Sequence, residues 1–158
     1  MRTSKIRYIC EAGIIAALYF AITVLLAPIS YGAIQVRISE ALCVLPFFTP
    51  SAVPGLFIGC AIANVFGGNG LVDVIVGSLS TLLAAWLTYK IKNKYLAPLP
   101  AVVVNAITIS VMLHYLINVP VLETMGYIAL GQTISCYIIG LPLLLLLKKY
   151  EKHIFLLN

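Results

Sequence analysis

Residues 41–66 read ALCVLPFFTPSAVPGLFIGCAIANVF, and how this run is divided decides the fold. It is apolar throughout and interrupted by Pro46, Pro50 and Pro54. As one helix it would be kinked three times. As two short helices it turns around Thr49-Pro50-Ser51, with prolines in the turn and in the first turn of the next helix. A helix needs about 20 apolar residues to cross a bilayer. Stretches of roughly that length flank the run at 9–27, 71–89, 98–117 and 125–147. The chain therefore has five spans or six.

Charge separates the two readings. The basic residues are Arg2, Lys5, Arg7, Arg37, Lys90, Lys92, Lys94, Lys148, Lys149 and Lys152. Cytoplasmic flanks retain Lys and Arg. Five spans would leave the Lys90 and Lys148 clusters outside. Six spans put both termini and every basic residue except Arg37 in the cytoplasm. The expected fold is all-α: a polytopic integral membrane protein, one transmembrane domain over 1–158. Its six helices are expected at about 9–27, 39–48, 51–65, 71–89, 98–117 and 125–147. The apolar run of helix 1 is too long for the apolar region of a signal peptide, so it is read as a retained helix. Helix 2 is short for a span and requires burial within the bundle.

Composition agrees. Of 158 residues, 62% are hydrophobic and 9% charged, and mean hydropathy is +1.08. Soluble domains carry about 25% charged residues. This chain cannot make a polar skin, which excludes a soluble enzyme, a disulfide scaffold and a disordered chain. The net charge of +5 sits in flanking clusters rather than on an aromatic-interleaved stripe, so nucleic acid is not an expected partner. Cys10, Cys43, Cys60 and Cys136 form no C-x-x-C pair, and no His stands at metal-ligand spacing. They read as small apolar residues within helices. No phosphate-binding loop, nucleophile elbow or H-E-x-x-H motif is present, so neither an enzyme nor a cofactor is expected.

The acids and amides carry the functional information. Glu11 and Glu151 stand beside cytoplasmic basic clusters and read as local charge partners. Glu40, Asp73 and Glu123 fall at the external starts of helices 2, 4 and 6. Capping of the helix dipole and contact with a ligand both account for acids there. Arg37, Asn64, Asn69, His114, Tyr115, Asn118 and Gln132 map to the same end. Ser80, Thr81 and Asn105 lie deeper and read as interhelical packing. Polarity is one-sided, which suits capture from outside better than a through-channel. Small residues mark close helix contacts: Gly55, Gly59 and Ala63 on helix 3, and Ala12, Ala16, Ala17 and Ala21 on helix 1.

Three segments resemble the QueT family of substrate-binding S components of energy-coupling factor (ECF) transporters. They are Val36-Arg37-Ile38-Ser39-Glu40-Ala41-Leu42, the run from Leu45 to Cys60, and Ile62-Ala63-Asn64-Val65-Phe66-Gly67-Gly68. The resemblance implies uptake of a queuosine precursor, a 7-deazaguanine, across a prokaryotic cell membrane. It implies capture on the outside under a loop between helices 1 and 2, which here contains Tyr31, Gln35 and Arg37. It further implies docking through Ala12 and Ala16 onto a transmembrane coupling subunit driven by two ATPases, and toppling of the S component in the bilayer. The alternatives are an S component for another vitamin or base, and a membrane assembly protein that transports nothing. The base chemistry fits independently. A guanine edge presents adjacent N–H donors to a carboxylate, a carbonyl to an amide, and a face to an aromatic ring.

Overall fold

The computed structural model describes residues 2–30, 37–68 and 70–150. All regular structure among them is helical. Helix 1 is Arg2–Leu25, followed by one turn at Ala27–Ser30. Helix 2, Ile38–Phe47, is a 3₁₀ helix. Helix 3 is Ala52–Gly67, helix 4 is Leu71–Lys90 and helix 5 is Leu99–Ile117. Helix 6 runs over Val121–Lys149 and is widened into π turns at Ile134–Gly140. Tyr31, Gln35, Asn69 and Glu151 lie outside the described residues.

The run 41–66 divides at the proline turn, and that turn sits among the basic clusters. The hydroxyls of Thr49 and Ser51 donate to Glu11 Oε2 at 3.0 and 2.8 Å. Glu11 Oε1 pairs with Arg7 at 3.4 Å, and Tyr8 Oη donates to the Pro50 carbonyl at 3.4 Å. Lys148 Nζ lies 5.2 Å from the centre of the Phe47 ring. The start of helix 1, the turn after helix 2 and the end of helix 6 therefore share one end of the bundle. Lys90 and Lys94 stand over Trp86 and Tyr95 at that end. Such basic and aromatic pairs suit a membrane–water boundary.

Helices 1, 4, 5 and 6 contain segments long and apolar enough to cross a membrane; helices 2 and 3 are shorter. Helix 2 gains reach from its winding. Ten residues at about 2.0 Å each cover about 20 Å, against about 15 Å in an α-helix. Pro46 has no N–H to contribute, and the helix opens and closes on i→i+3 bonds, Glu40 N–H to Arg37 O and Phe48 N–H to Leu45 O, both 2.9 Å. Helices 1, 3, 4 and 6 enclose it, and Ser39, Glu40, Ala41, Cys43, Val44, Leu45 and Pro46 are buried. Enclosure answers the requirement that no polar backbone face lipid unpaired.

The bundle is sorted inside out. Leu79, Leu83 and Trp86 on helix 4, and Val103, Ile107 and Val111 on helix 5, point outward at three- and four-residue spacing. Small residues fill the centre: Ala52, Cys60, Ala63, Ala84, Ala85 and Ala101 are fully buried. Lipid supplies little drive to bring helices together, so close backbone approach takes over.

The tightest approach joins helices 1 and 3. A Cβ on Gly55 would stand 2.8 Å from Ala12 O, and one on Gly59 would stand 2.8 Å from Ala16 O. Ala12 and Ala16, expected to dock a partner, are thus buried against helix 3. The reason is steric: helix 1 seats its small face where helix 3 has no side chains. The face that helix 1 leaves exposed carries Gly13, Ala17 and Ala21 instead. Gly59→Ala is expected to lower the thermal unfolding midpoint in detergent, at a cost of about 1–3 kcal/mol from overpacking. Gly126→Ala, where nothing lies within 4 Å of the new methyl, is expected to leave it unchanged or raise it through the higher helix propensity of Ala.

Candidate functional site

At the end opposite the lysines, helices 2, 4, 5 and 6 meet around a narrow cleft. Arg37 and Glu40 line it from the start of helix 2, and Asp73, Gly77 and Thr81 from helix 4. Asn105 and Ile109 come from helix 5, and Ile128 and Gln132 from helix 6. Helices 4, 5 and 6 each contribute residues four apart, which places them one above another on a single face. The open centre of the cleft is about 10 Å³, room for about one water.

Glu40 is the best-held group. Its side chain is buried, with 1% of the residue exposed. Tyr19 of helix 1 donates its hydroxyl to Oε1 at 2.5 Å, and the Cys43 thiol donates to Oε2 at 2.9 Å. Both carboxylate oxygens therefore accept a hydrogen bond. Thr23 donates to Ser39 Oγ at 2.7 Å and fastens the same stretch of helix 1 to helix 2. From the other side, Cys136 in the π segment donates to the Glu40 carbonyl at 3.6 Å. Gly140 brings helix 6 close, since a Cβ there would lie 3.1 Å from Ala41 O.

Arg37 is extended just before helix 2 and points inward, 8% exposed. Its Nη2 donates to Asn64 Oδ1 at 2.8 Å and stands 3.9 Å from Asp73 Oδ2. The first is a hydrogen bond and the second is too long to be one. Asn64 returns its amide N–H to the Asp73 carbonyl at 3.2 Å, tying helix 3 to helix 4. Gly77 makes room for this amide, because a Cβ there would fall 2.6 Å from Asn64 Nδ2. Asp73 is 5% exposed, and its Oδ2 accepts no hydrogen bond among the described residues.

The residues expected at the site divide into two groups. Arg37, Glu40, Asp73 and Gln132 line the cleft, and Asn64 stands immediately behind it. His114, Tyr115, Asn118 and Glu123 are exposed beyond it. His114 Nδ1 is 2.8 Å from the Val119 carbonyl, and Asn118 takes a left-handed φ of 56° that ends helix 5. Asn69 falls outside the described residues. Tyr19, Thr81 and Asn105 belong to the site although the sequence reading gave Tyr19 no role and read the other two as packing. The four-residue spacing of Asp73, Gly77 and Thr81 was the available signal. Nothing local marks Tyr19, which acts across 21 positions.

These features define a multi-pass helical membrane protein that encloses paired carboxylates and an arginine at one end. The chain belongs to the QueT transporter family, whose family model matches residues 9–149. It is 36% identical over 154 residues to the "Queuosine precursor transporter QueT" of Lactococcus lactis subsp. cremoris (strain MG1363), an alignment covering 87% of this chain and 90% of that protein. No solved structure matches it.

Tyr19→Phe removes one of the two donors to Glu40 and leaves Oε1 buried without it. The expected result is a loss of about 1–3 kcal/mol, measured as a lower unfolding midpoint in detergent. An unchanged midpoint would mean that the Tyr19 contact does not hold Glu40.

Proposed function

We propose that this protein is the substrate-binding S component of an ECF importer and captures a queuosine precursor, a 7-deazaguanine, from outside the cell. The observation that carries this reading is the pair of buried carboxylates, Glu40 and Asp73, set on different helices across one cleft. The printed substrate of the Lactococcus lactis relative agrees with it. One carboxylate takes the adjacent N–H donors of the base edge. Arg37, Asn105 and Gln132 offer donors to its carbonyl and ring nitrogens, and Ile109 and Ile128 supply apolar contact for its faces. Seating a bicyclic base requires these side chains to part, because the open centre is about 10 Å³.

The lysine-lined end faces the cytoplasm in this reading, and the protein resides in a prokaryotic cell membrane. No enzymatic step is assigned to the chain: ATP is hydrolysed by two partner ATPases acting through a transmembrane coupling subunit. Docking uses the outward face of helix 1, at Gly13, Ala17 and Ala21, since Ala12 and Ala16 are covered by helix 3.

Calorimetric titration of the purified protein tests the capture step. Saturable binding of 7-aminomethyl-7-deazaguanine or queuine is expected, with none of riboflavin or thiamine. Glu40→Gln is expected to weaken that binding about 10- to 150-fold, the range of one charge-assisted hydrogen bond. Binding of a control vitamin alone would replace the substrate. Failure of every ligand on folded protein would move the weight to a membrane assembly role. Uptake by cells that depends on co-expressed coupling and ATPase subunits is the corresponding test of the transporter class.

A further inference from the structure

By formal charge the cleft is not neutral. Arg37 brings one positive charge, and Glu40 and Asp73 bring two negative ones, for a net charge of one negative. Residues nearby in sequence do not correct this: 31–36 and 69 contain no Asp, Glu, Lys or Arg. Glu123 is exposed beyond the cleft and would add only negative charge. A buried charge that lacks a counter-charge is costly in a protein and more so within a bilayer.

The two carboxylates differ in what they already hold. Glu40 accepts from Tyr19 and from Cys43, one donor on each oxygen. Arg37 is directed to Asn64 at 2.8 Å, while Asp73 Oδ2 stands 3.9 Å from it and accepts no hydrogen bond among the described residues. Asp73 is 95% buried by the complement of its 5% exposure, and it lines the cleft. Asp73 Oδ2 has Arg37 only at ion-pair distance and no hydrogen-bond donor among the described residues, so it is the unfilled acceptor of a cleft that carries one excess negative charge.

We infer that the cleft selects a monocationic ligand, with Asp73 Oδ2 receiving the ligand's ammonium group and Glu40 facing its neutral base edge. This rests on the deazaguanine reading and goes further, because it separates precursors by charge. Members of the class with an amine on the 7-substituent are cations near neutral pH. The 7-cyano analogue has the same rings and no charge. The first should be held and the second refused, although both fit the same base contacts.

The test is titration of the full-length protein with 7-aminomethyl-7-deazaguanine and with 7-cyano-7-deazaguanine. Sodium-free buffer keeps a metal ion from supplying the missing charge. The expected result is that the amine binds at least about 10-fold more tightly than the nitrile, the lower end for a charge-assisted contact. Asp73→Asn should then bring the amine down towards the nitrile. Equal affinities in the wild-type protein would overturn the charge inference and leave the deazaguanine reading standing. Binding of neither ligand would overturn both. The wild-type comparison decides the matter even where Asp73→Asn does not fold.

Discussion

A short helix carrying Glu40, immediately preceded by Arg37, is surrounded on all sides by other helices, and most of the architecture serves that enclosure. Charged groups cannot face lipid without large cost. Ten residues of 3₁₀ helix also leave no margin for an exposed end. Helix 1 supplies Tyr19 and Thr23, helix 3 supplies Asn64, and helix 6 brings Cys136 and Gly140. Helices 1 and 6 give helix 2 both a packing surface and hydrogen-bond partners, and helix 3 holds Arg37 just before its start.

Close packing and polar contact are two parts of one arrangement. Gly55 and Gly59 let helix 1 lie directly on helix 3, and Tyr19, packed beside Gly59 on that face, reaches Glu40. Gly77 performs the same service for Asn64, and Gly140 for the backbone of helix 2. Glycine here contributes the absence of a Cβ at a contact, since positive φ among the described glycines is confined to Gly68 and Gly70. The π turns of helix 6 fall beside the same contact, where a widened helix can present Cys136 towards Glu40.

The two ends of the bundle are chemically opposite. At one, lysines lie over aromatic rings and Glu11 ties helix 1 to the turn after helix 2. At the other, acids and amides turn inward around a cleft. No continuous polar path joins the two in the sequence pattern. That separation suits a protein that binds at one end and relies on partners for movement, the role proposed here for this member of the QueT transporter family.

Fold class was legible in sequence because its signals are additive. Apolar length, proline position and the sign of clustered charges each accumulate along the chain, and together they divide 41–66 into two helices. The acids Glu40, Asp73 and Glu123, with Arg37, were legible as a group because charge inside an apolar chain is conspicuous. Membership of the cleft was not. Glu123 and Asp73 both open helices, yet one is exposed and the other buried, and that difference depends on how helices rotate about their axes. Tyr19 reads as one tyrosine among nine until helix 1 is laid against helix 3. Sequence by itself determined a membrane bundle with basic clusters at one end and acids with Arg37 at the other, since transfer free energy is a local property of residues. Only the tertiary structure decided which charges face each other, because pairing depends on interhelical approach within an ångström or two, set by glycines far apart in the chain.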